Sequence, residues 1–318
     1  MRLLRSLEAY REVAARGSVT SAAQTLGVSQ PTVSRMIQEL ERELGQEMFQ
    51  RVGQRLVLTA QGMALRDEVD RALGGITEFW ERAREVASAI APPLRISAVS
   101  ALAFGLLPRA WQAAGAESVR IAIQVEPPDQ VQADVMSGAA RLGATSVPLL
   151  HRDLDLAWLG TAPCVLAVPE SDPLAAEDGP VDLCALCGRG MVGMSLRRGV
   201  PARISAALRA AGVEPQTIVR TNSTMNALSF IRAGTGIAII EPLTPAGMPV
   251  PGVRILPLAT SIPYCFGVVT ARAACPDERI SAVVTALRDA ARSLPDFALI
   301  APADHHAFLA ELAQEEIA

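Results

Sequence analysis

Between residues 30 and 38 the sequence reads QPTVSRMIQ, and its polar side chains are of the kinds that read DNA. Arg35 can donate to a guanine edge or a phosphate, Gln30 and Gln38 can pair with adenine edges, and Thr32 can set its methyl against that of thymine. Pro31 and Ser34 belong to the same short polar face. Arg51 and Arg55 flank a glycine at position 53 and would reach phosphates, contacts that fix register without reading sequence. A second polar group lies further along the chain. Ser100, followed by Ala101 and Leu102, stands where a strand gives way to a helix, as do Asn222, Ser223 and Thr224; Thr145, Ser146 and Val147 follow a short strand. Helix N-termini carry free N–H groups and positive potential, so this second group suits a carboxylate ligand. Each of these capping residues taken singly is also an ordinary cap.

The first group needs two short helices around a tight turn. Residues 20–26 predict a helix with Ala22, Ala23 and Leu26 inward, and Gly27 supplies the turn. Ser29 is an N-cap and Pro31 sits in the first turn of the next helix, where a missing N–H costs little. Val33, Ile37, Leu40 and Leu44 then recur at helical spacing and leave the polar set outside. Such a helix-turn-helix can place its second helix in the major groove; a helical hairpin in an ordinary core would show the same pattern. Residues 3–16 predict a supporting helix, Phe49 a plug for the small core, and residues 50–59 a two-stranded ribbon turning at Gly53, the wing. From a cap at Thr59 a helix runs to about residue 89. Its Leu65, Val69, Ala72, Ile76, Phe79, Ala83, Val86 and Ile90 form an a/d series, which predicts a dimer seam in preference to packing on its own domain. Gly74 and Gly75 soften its middle.

Ala91-Pro92-Pro93 must end that helix and marks a domain boundary. Strands are then expected at 94–99, 119–125, 143–146, 156–159, 164–168, 191–194, 218–220, 237–240 and 265–269. Helices are expected at 101–114, 130–137, 202–211, 224–232 and 277–294. The alternation predicts an α/β region of parallel sheets with crossover helices, as one sheet or as two smaller ones sharing a cleft. Residues 303–317 predict a further helix, for packing or oligomer contact.

Composition narrows the function. Half of the 318 residues are apolar, yet no apolar run reaches the ~18 residues of a membrane span. The first 17 residues carry charges throughout, so no secretory signal is expected and the location is cytoplasmic. A net charge of −4 argues against non-specific coating of nucleic acid, while residues 1–62 hold eight Arg against six Glu, compatible with a small DNA-binding end on an acidic protein. Five cysteines form no evident disulfide framework. Cys184 and Cys187 make a single C-x-x-C with no second pair, and His151, His305 and His306 lack zinc-ligand spacing to it. Structural cysteines are the expectation and a thiol switch the alternative. Neither metal nor cofactor is expected. A rival reading treats residues 93–295 as an enzyme or solute-binding domain with an N-terminal interaction module, but G-x-S-x-G, Walker and dinucleotide motifs are all missing.

The succession AA-x-x-L-G-V-S-Q-P-T-V-S-R, L-E-x-E-L-G-x-x-M-F-x-R and a wing ending L-T-x-x-G, followed by a linker helix and an α/β region, resembles the LysR-type transcriptional regulators. The likeness is dense over residues 3–65 and looser beyond, notably at 94–99, the L-L-P after it and A-G-T-G-I-A-I-I at 233–240. It implies a winged helix-turn-helix over residues 1–60, a linker and dimerisation helix over 61–91, a two-lobed, periplasmic-binding-protein-like (type II) effector domain over 92–296 and a C-terminal extension over 297–318. It also implies a homotetramer of two dimers on an inverted repeat in double-stranded promoter DNA, a small-molecule effector, and RNA polymerase as a further partner, with no membrane attachment and no enzymatic activity. Carried over by position, Gln30, Pro31, Thr32, Ser34 and Arg35 meet the DNA, with Arg51 and Arg55 in the wing. Residues 101–109 and 239–244 are similar to members that sense amino acids and opines, which would set Glu241 against an ammonium group. Arg197 is a candidate carboxylate anchor, a solvated loop being the alternative for it and Arg198; Phe104 and Phe230 are expected in the core. Where the family commonly shows Gly-x-Leu-Asp, this chain reads Gly138-Ala139-Ala140-Arg141.

Overall fold

The computed structural model describes residues 2–53, 55–87, 92–113, 120–146, 153–194, 199–272 and 277–315. The chain divides into two compact units, Met1–Pro92 and Pro93–Ala318.

In the first unit, helices α1 (Arg2–Arg16), α2 (Val19–Leu26) and α3 (Gln30–Leu44) enclose a core of Ala9, Tyr10, Val13, Ala22, Ala23, Val33, Ile37 and Leu40. The two alanines of α2 let its neighbours approach closely. Helix α2 starts where the Ser18 hydroxyl accepts from the Ser21 N–H, and ends at Gly27, whose φ of 65° is a left-handed conformation that residues with a Cβ seldom adopt. The wing consists of β1 (Phe49–Val52) and β2 (Arg55–Leu58), antiparallel with Phe49 opposite Leu58. One Glu41 oxygen accepts from the N–H groups of Met48 at 2.8 Å and Phe49 at 3.2 Å, tying the start of the wing to α3. The Leu56 N–H donates to the Gly17 carbonyl at 3.1 Å, holding the second wing strand against the turn between α1 and α2.

The Thr59 hydroxyl accepts from the Gly62 N–H at 3.0 Å and opens α4 (Ala60–Ala87), which runs unbroken through Gly74 and Gly75. The heptad reading of this helix requires correction in its first half. Val69 is buried together with Leu73 in the helix-turn-helix core, and Leu65 packs against the same cluster. Spaced four apart, Val69 and Leu73 share the face that meets α1, so this stretch of the pattern serves the chain's own domain. Farther along, Phe79 and the adjacent Trp80 are exposed, their rings edge to face at 5.5 Å. Ile90 and the Val86 side chain lie outside the described residues.

The second unit holds two lobes. The first is a six-stranded sheet in the order β13-β6-β12-β5-β3-β4, made of β3 (Leu94–Ala98), β4 (Ile121–Val125), β5 (Leu142–Ser146), β6 (Leu154–Pro163), β12 (Pro263–Ala271) and β13 (Ala298–Ile300). The second lobe contains β7 (Val165–Pro169) between β10 (Ala238–Ile240) and β11 (Val253–Pro257), and the pair β8 (Gly190–Met194) and β9 (Gln216–Thr221); a bridge from Met191 to Ile237 links the two groups. The expectation of purely parallel sheets is overturned. Only β3 with β4, β3 with β5 and β8 with β9 pair in parallel among the named strands. The chain leaves the first lobe along β6 and returns along β12, and two neighbouring strands that run out and back are necessarily antiparallel. The Cys164 N–H donates to the Ile262 carbonyl at 2.8 Å, joining the two crossings.

Helices cover both sheets: α5 (Ser100–Gly105), α6 (Leu107–Ala113), α7 (Pro128–Ser137), α8 (Val200–Ala210), α9 (Thr224–Arg232), the short α10 (Leu243–Gly247) and α11 (Glu278–Ala291). The single helix expected over residues 101–114 is broken at Leu106 into α5 and α6, where Pro108 has no N–H to donate back to the Phe104 carbonyl. The strands β11 and β13 were not expected. The tail beyond residue 297 belongs to the first lobe: β13 pairs with β6, and α12 (His305–Glu315) buries Leu309 and Leu312 against Leu159 and Cys265.

Helices α5 and α10 meet backbone to backbone. A Cβ at Gly105 would come within 2.5 Å of the Leu243 carbonyl oxygen, and one at Gly247 within 2.5 Å of the Gly105 carbonyl oxygen. Gly105→Ala must therefore push the two helices apart, and is expected to destabilise by about 1–3 kcal/mol. Urea unfolding of the full-length protein reads this as a lowered midpoint. Gly74→Ala, in a helix with nothing within 4 Å of the new methyl, should raise or leave it.

Candidate functional site

The polar face of α3 is set by its N-terminus. Ser29 is the N-cap, with extended backbone (φ −76°, ψ 150°); its hydroxyl accepts from the Thr32 N–H at 3.4 Å and lies 2.7 Å from the Thr32 hydroxyl, and Pro31 stands in the first turn. Val33, Ile37 and Leu40 are buried, leaving Gln30, Pro31, Thr32, Arg35 and Gln38 exposed and Ser34 half-buried. Arg35 is held beside Glu39, one turn on, at 3.4 Å, with 72% of its side chain exposed. An exposed pair of this kind is weak, so the guanidinium is free to turn to a stronger acceptor. Arg51 is exposed on β1. Arg55 lies opposite Val52 in the ribbon, and its side chain lies outside the described residues.

In the second unit the expected polar residues meet unequally. Ser100 is the first residue of α5 and Val99 is its N-cap, so Ser100 is not the capping residue that its position suggests. Ala101 and Leu102 are buried in the main core, and the Leu102 N–H is taken by the Val99 carbonyl at 3.1 Å. Thr145 is fully buried at the end of β5, and Ser146 is hydrogen-bonded to the Tyr264 hydroxyl. Ser223 caps α9, its hydroxyl accepting from the Asn226 N–H at 3.4 Å, while Asn222 is exposed. Val147, Arg197 and Arg198 lie outside the described residues. Phe104 and Phe230, expected in the core, are exposed.

Thr224 leads to the middle of the domain, where its hydroxyl bonds to Glu241. Glu241 is buried, and its carboxylate also accepts from the N–H groups of Leu243 at 2.7 Å and Thr244 at 3.0 Å, and from the Thr244 hydroxyl. These four donors fill the acceptor positions of a carboxylate. Glu241 thus holds the first N–H groups of α10, whose N-cap is Pro242, and is not the open ammonium site expected of it. Around it lie Tyr264 and Cys164. Burial, then the negative charge of Glu241, hold the Tyr264 hydroxyl well above its ordinary value, against the bond to Ser146. Burial first and Glu241 second also push the Cys164 thiol up, and the positive charge of Arg203 opposes them.

Tyr264, Cys164, Thr244 and Arg203 were missed from the sequence. The first three are brought to Glu241 by tertiary structure alone. Arg203 had a local signal: it falls three residues after Val200 and four before Ala207, on the face of α8 that carries Ile204 and Leu208 inward. Cys164 and Cys265 are buried and Cys184 and Cys187 exposed, none of the four in a disulfide. Among the described residues no group of three or more His, Cys, Asp or Glu could hold a metal ion, and no helix is long and apolar enough to cross a membrane.

A winged helix-turn-helix in one chain with a two-lobed α/β domain defines a class, the regulators that combine DNA binding with effector binding. The comparisons with known proteins agree. The family described as bacterial regulatory helix-turn-helix protein, lysR family, matches residues 4–63, and the LysR substrate binding domain matches residues 87–292. This chain belongs to the LysR family of transcriptional regulators, and so to a family of regulators and not of enzymes. It is 32% identical over 240 residues to the octopine catabolism/uptake operon regulatory protein OccR of Rhizobium meliloti, covering 75% of this chain and 80% of that one. It is 27% identical over 304 residues to the regulatory protein NocR of Agrobacterium tumefaciens (strain T37), covering 92% and 97%. Among solved structures, full-length CbnR complexed with its target DNA superposes with a TM-score of 0.68 at 21% identity, covering 91% of this chain and 99% of that one. Full-length BenM gives 0.52 at 22% identity, covering 90% and 95%.

Burial raises the Glu241 carboxyl from an ordinary 4.5 to about 7, against its hydrogen bonds to Thr244, Leu243 and Thr224. The folded protein therefore binds this proton more tightly than the unfolded chain. Its contribution to stability is complete below pH 4.5 and is lost as pH rises through about 7. Urea midpoints of the wild type should fall between pH 5 and pH 8, and Glu241→Gln should flatten that fall; an unaltered slope in the variant would contradict the assignment.

Proposed function

We propose that this regulator binds an interrupted inverted repeat in promoter DNA as a pair of dimers and responds to a small carboxylate or amino-acid-like effector. In this reading residues 1–60 bind DNA, 61–91 dimerise through the exposed part of α4, 92–296 take the effector and 297–318 extend the first lobe. The protein works in the cytoplasm, with RNA polymerase as a further partner. The observation that carries the reading is the face of α3, where Gln30, Thr32, Arg35 and Gln38 are exposed while Val33, Ile37 and Leu40 are buried. Pro31 and Ser34 complete the base-facing surface, and Arg51 and Arg55 approach phosphates.

For the effector, we take Ser100, Thr145, Ser146, Ser223 and Thr224 as the supporting residues, because Thr224 bonds to Glu241 and Ser146 to Tyr264, with Asn222, Ala101, Leu102, Val147 and Arg197 as further candidates. Glu241 organises this region by holding α10 and Thr224. That one relative regulates octopine catabolism and uptake favours an effector of amino-acid type.

Gel shifts with the DNA upstream of the protein's own gene test the DNA reading. Arg35→Ala should weaken binding by roughly tenfold or more, the loss of one base-reading guanidinium. Arg51→Ala should weaken binding to all sequences alike and reduce the salt dependence by about one ion. An unchanged shift with Arg35→Ala would remove α3 from its role.

A further inference from the structure

Among the described residues of the effector domain, Arg203 is a buried charged side chain without a protein partner. Arg203 projects from the buried face of α8, is only 7% exposed, and its Nε, Nη1 and Nη2 atoms are all buried without a hydrogen bond. No ion pair to it occurs among the described residues. Its charge reaches Cys164, the residue at the outgoing crossing between the lobes, and α8 also approaches β12, the returning strand. This sets Arg203 beside the crossings between the lobes. The carboxylate whose charge also acts on Cys164 is Glu241, and it is already engaged by four donors of its own segment and of α9.

An uncompensated charge in such a place is strongly unfavourable, and a guanidinium cannot escape by losing its proton. Its planar fork matches a carboxylate in two parallel hydrogen bonds. We propose that Arg203 is the anchor for the carboxylate of the effector. This rests on the reading of residues 92–296 as an effector-binding domain and adds the group that selects the ligand's charge. The site takes one carboxylate in preference to a dianionic phosphate, because Glu241 already places negative charge nearby and a single arginine neutralises one unit. Arg203, and not Arg197, is then the specificity-determining cation.

The test is thermal unfolding of the full-length protein in sodium chloride, sodium acetate and sodium phosphate at equal ionic strength, with acetate as the smallest carboxylate probe. The wild type should gain roughly 2 °C or more in Tm from acetate over chloride and less from phosphate. Arg203→Met should lose the acetate increment. A wild type without that increment, or an increment that survives in Arg203→Met, overturns the assignment, and a larger gain from phosphate overturns the preference for a carboxylate. Should Arg203→Met fail to fold, Arg203→Lys decides: a reduced increment supports the fork, an equal one sinks it. Wild-type DNA binding, read separately by gel shift, tests the regulator reading, so failure of either is distinguishable.

Discussion

The effector domain depends on the way its chain crosses between lobes. Two segments pass the junction, one outgoing from β6 to β7 and one returning from β11 to β12, and the hydrogen bond from Cys164 to Ile262 holds them side by side. This pairing puts antiparallel neighbours into sheets that would otherwise follow the crossover-helix rule. It also concentrates the few large rings of the chain. Phe266 lies 5.8 Å edge to face from Trp158 and 5.5 Å in a stack with Tyr264, and Trp158 donates to the Val284 carbonyl at 3.2 Å. Aromatic packing of this kind makes the junction stiff on the first-lobe side. The polar groups of the second lobe, Thr224, Glu241 and Thr244, are presented against that fixed wall.

The helix-turn-helix was legible because its signals are local. Ser29, Pro31 and the four-three spacing of Val33, Ile37 and Leu40 each act within one helix, and Gly27 acts within one turn; Leu44, the next in the series, is exposed. The ties that hold the wing are not local. Glu41 reaches the backbone of Met48 and Phe49, and Gly17 receives the N–H of Leu56, which no periodicity announces. The same limit explains the linker helix. An a/d series states that a face is apolar, not which surface covers it, and for Val69 the covering surface is the chain's own α1.

In the effector domain the sequence placed most strands and helices but not their directions. Strands β11 and β13 escaped because one is hemmed by proline and glycine and the other has three residues. The helix ends at Ser100 and Ser223 looked alike as sequence. Only Ser223 is a true cap, since the backbone of Val99 stays extended and moves the start of α5 back by one residue. The residues that give the site its electrostatics come together across long separations, Thr224 with Glu241 and Ser146 with Tyr264.

Glu241 and Arg203 are two opposite buried charges that both act on Cys164 and form no ion pair among the described residues. The carboxylate is made tolerable in two ways: four donors satisfy it, and its raised affinity for a proton lets it shed charge near neutrality. The first route is not open to the Arg203 guanidinium, whose three nitrogens lack partners. The junction between the lobes therefore carries a positive charge that the protein itself leaves uncompensated. Glu241, by keeping part of its negative charge close by, limits how much more the same space can accept. On the proposal that Arg203 anchors the effector, selection of a singly charged anion follows from this asymmetry, before any contact with the rest of a ligand is considered.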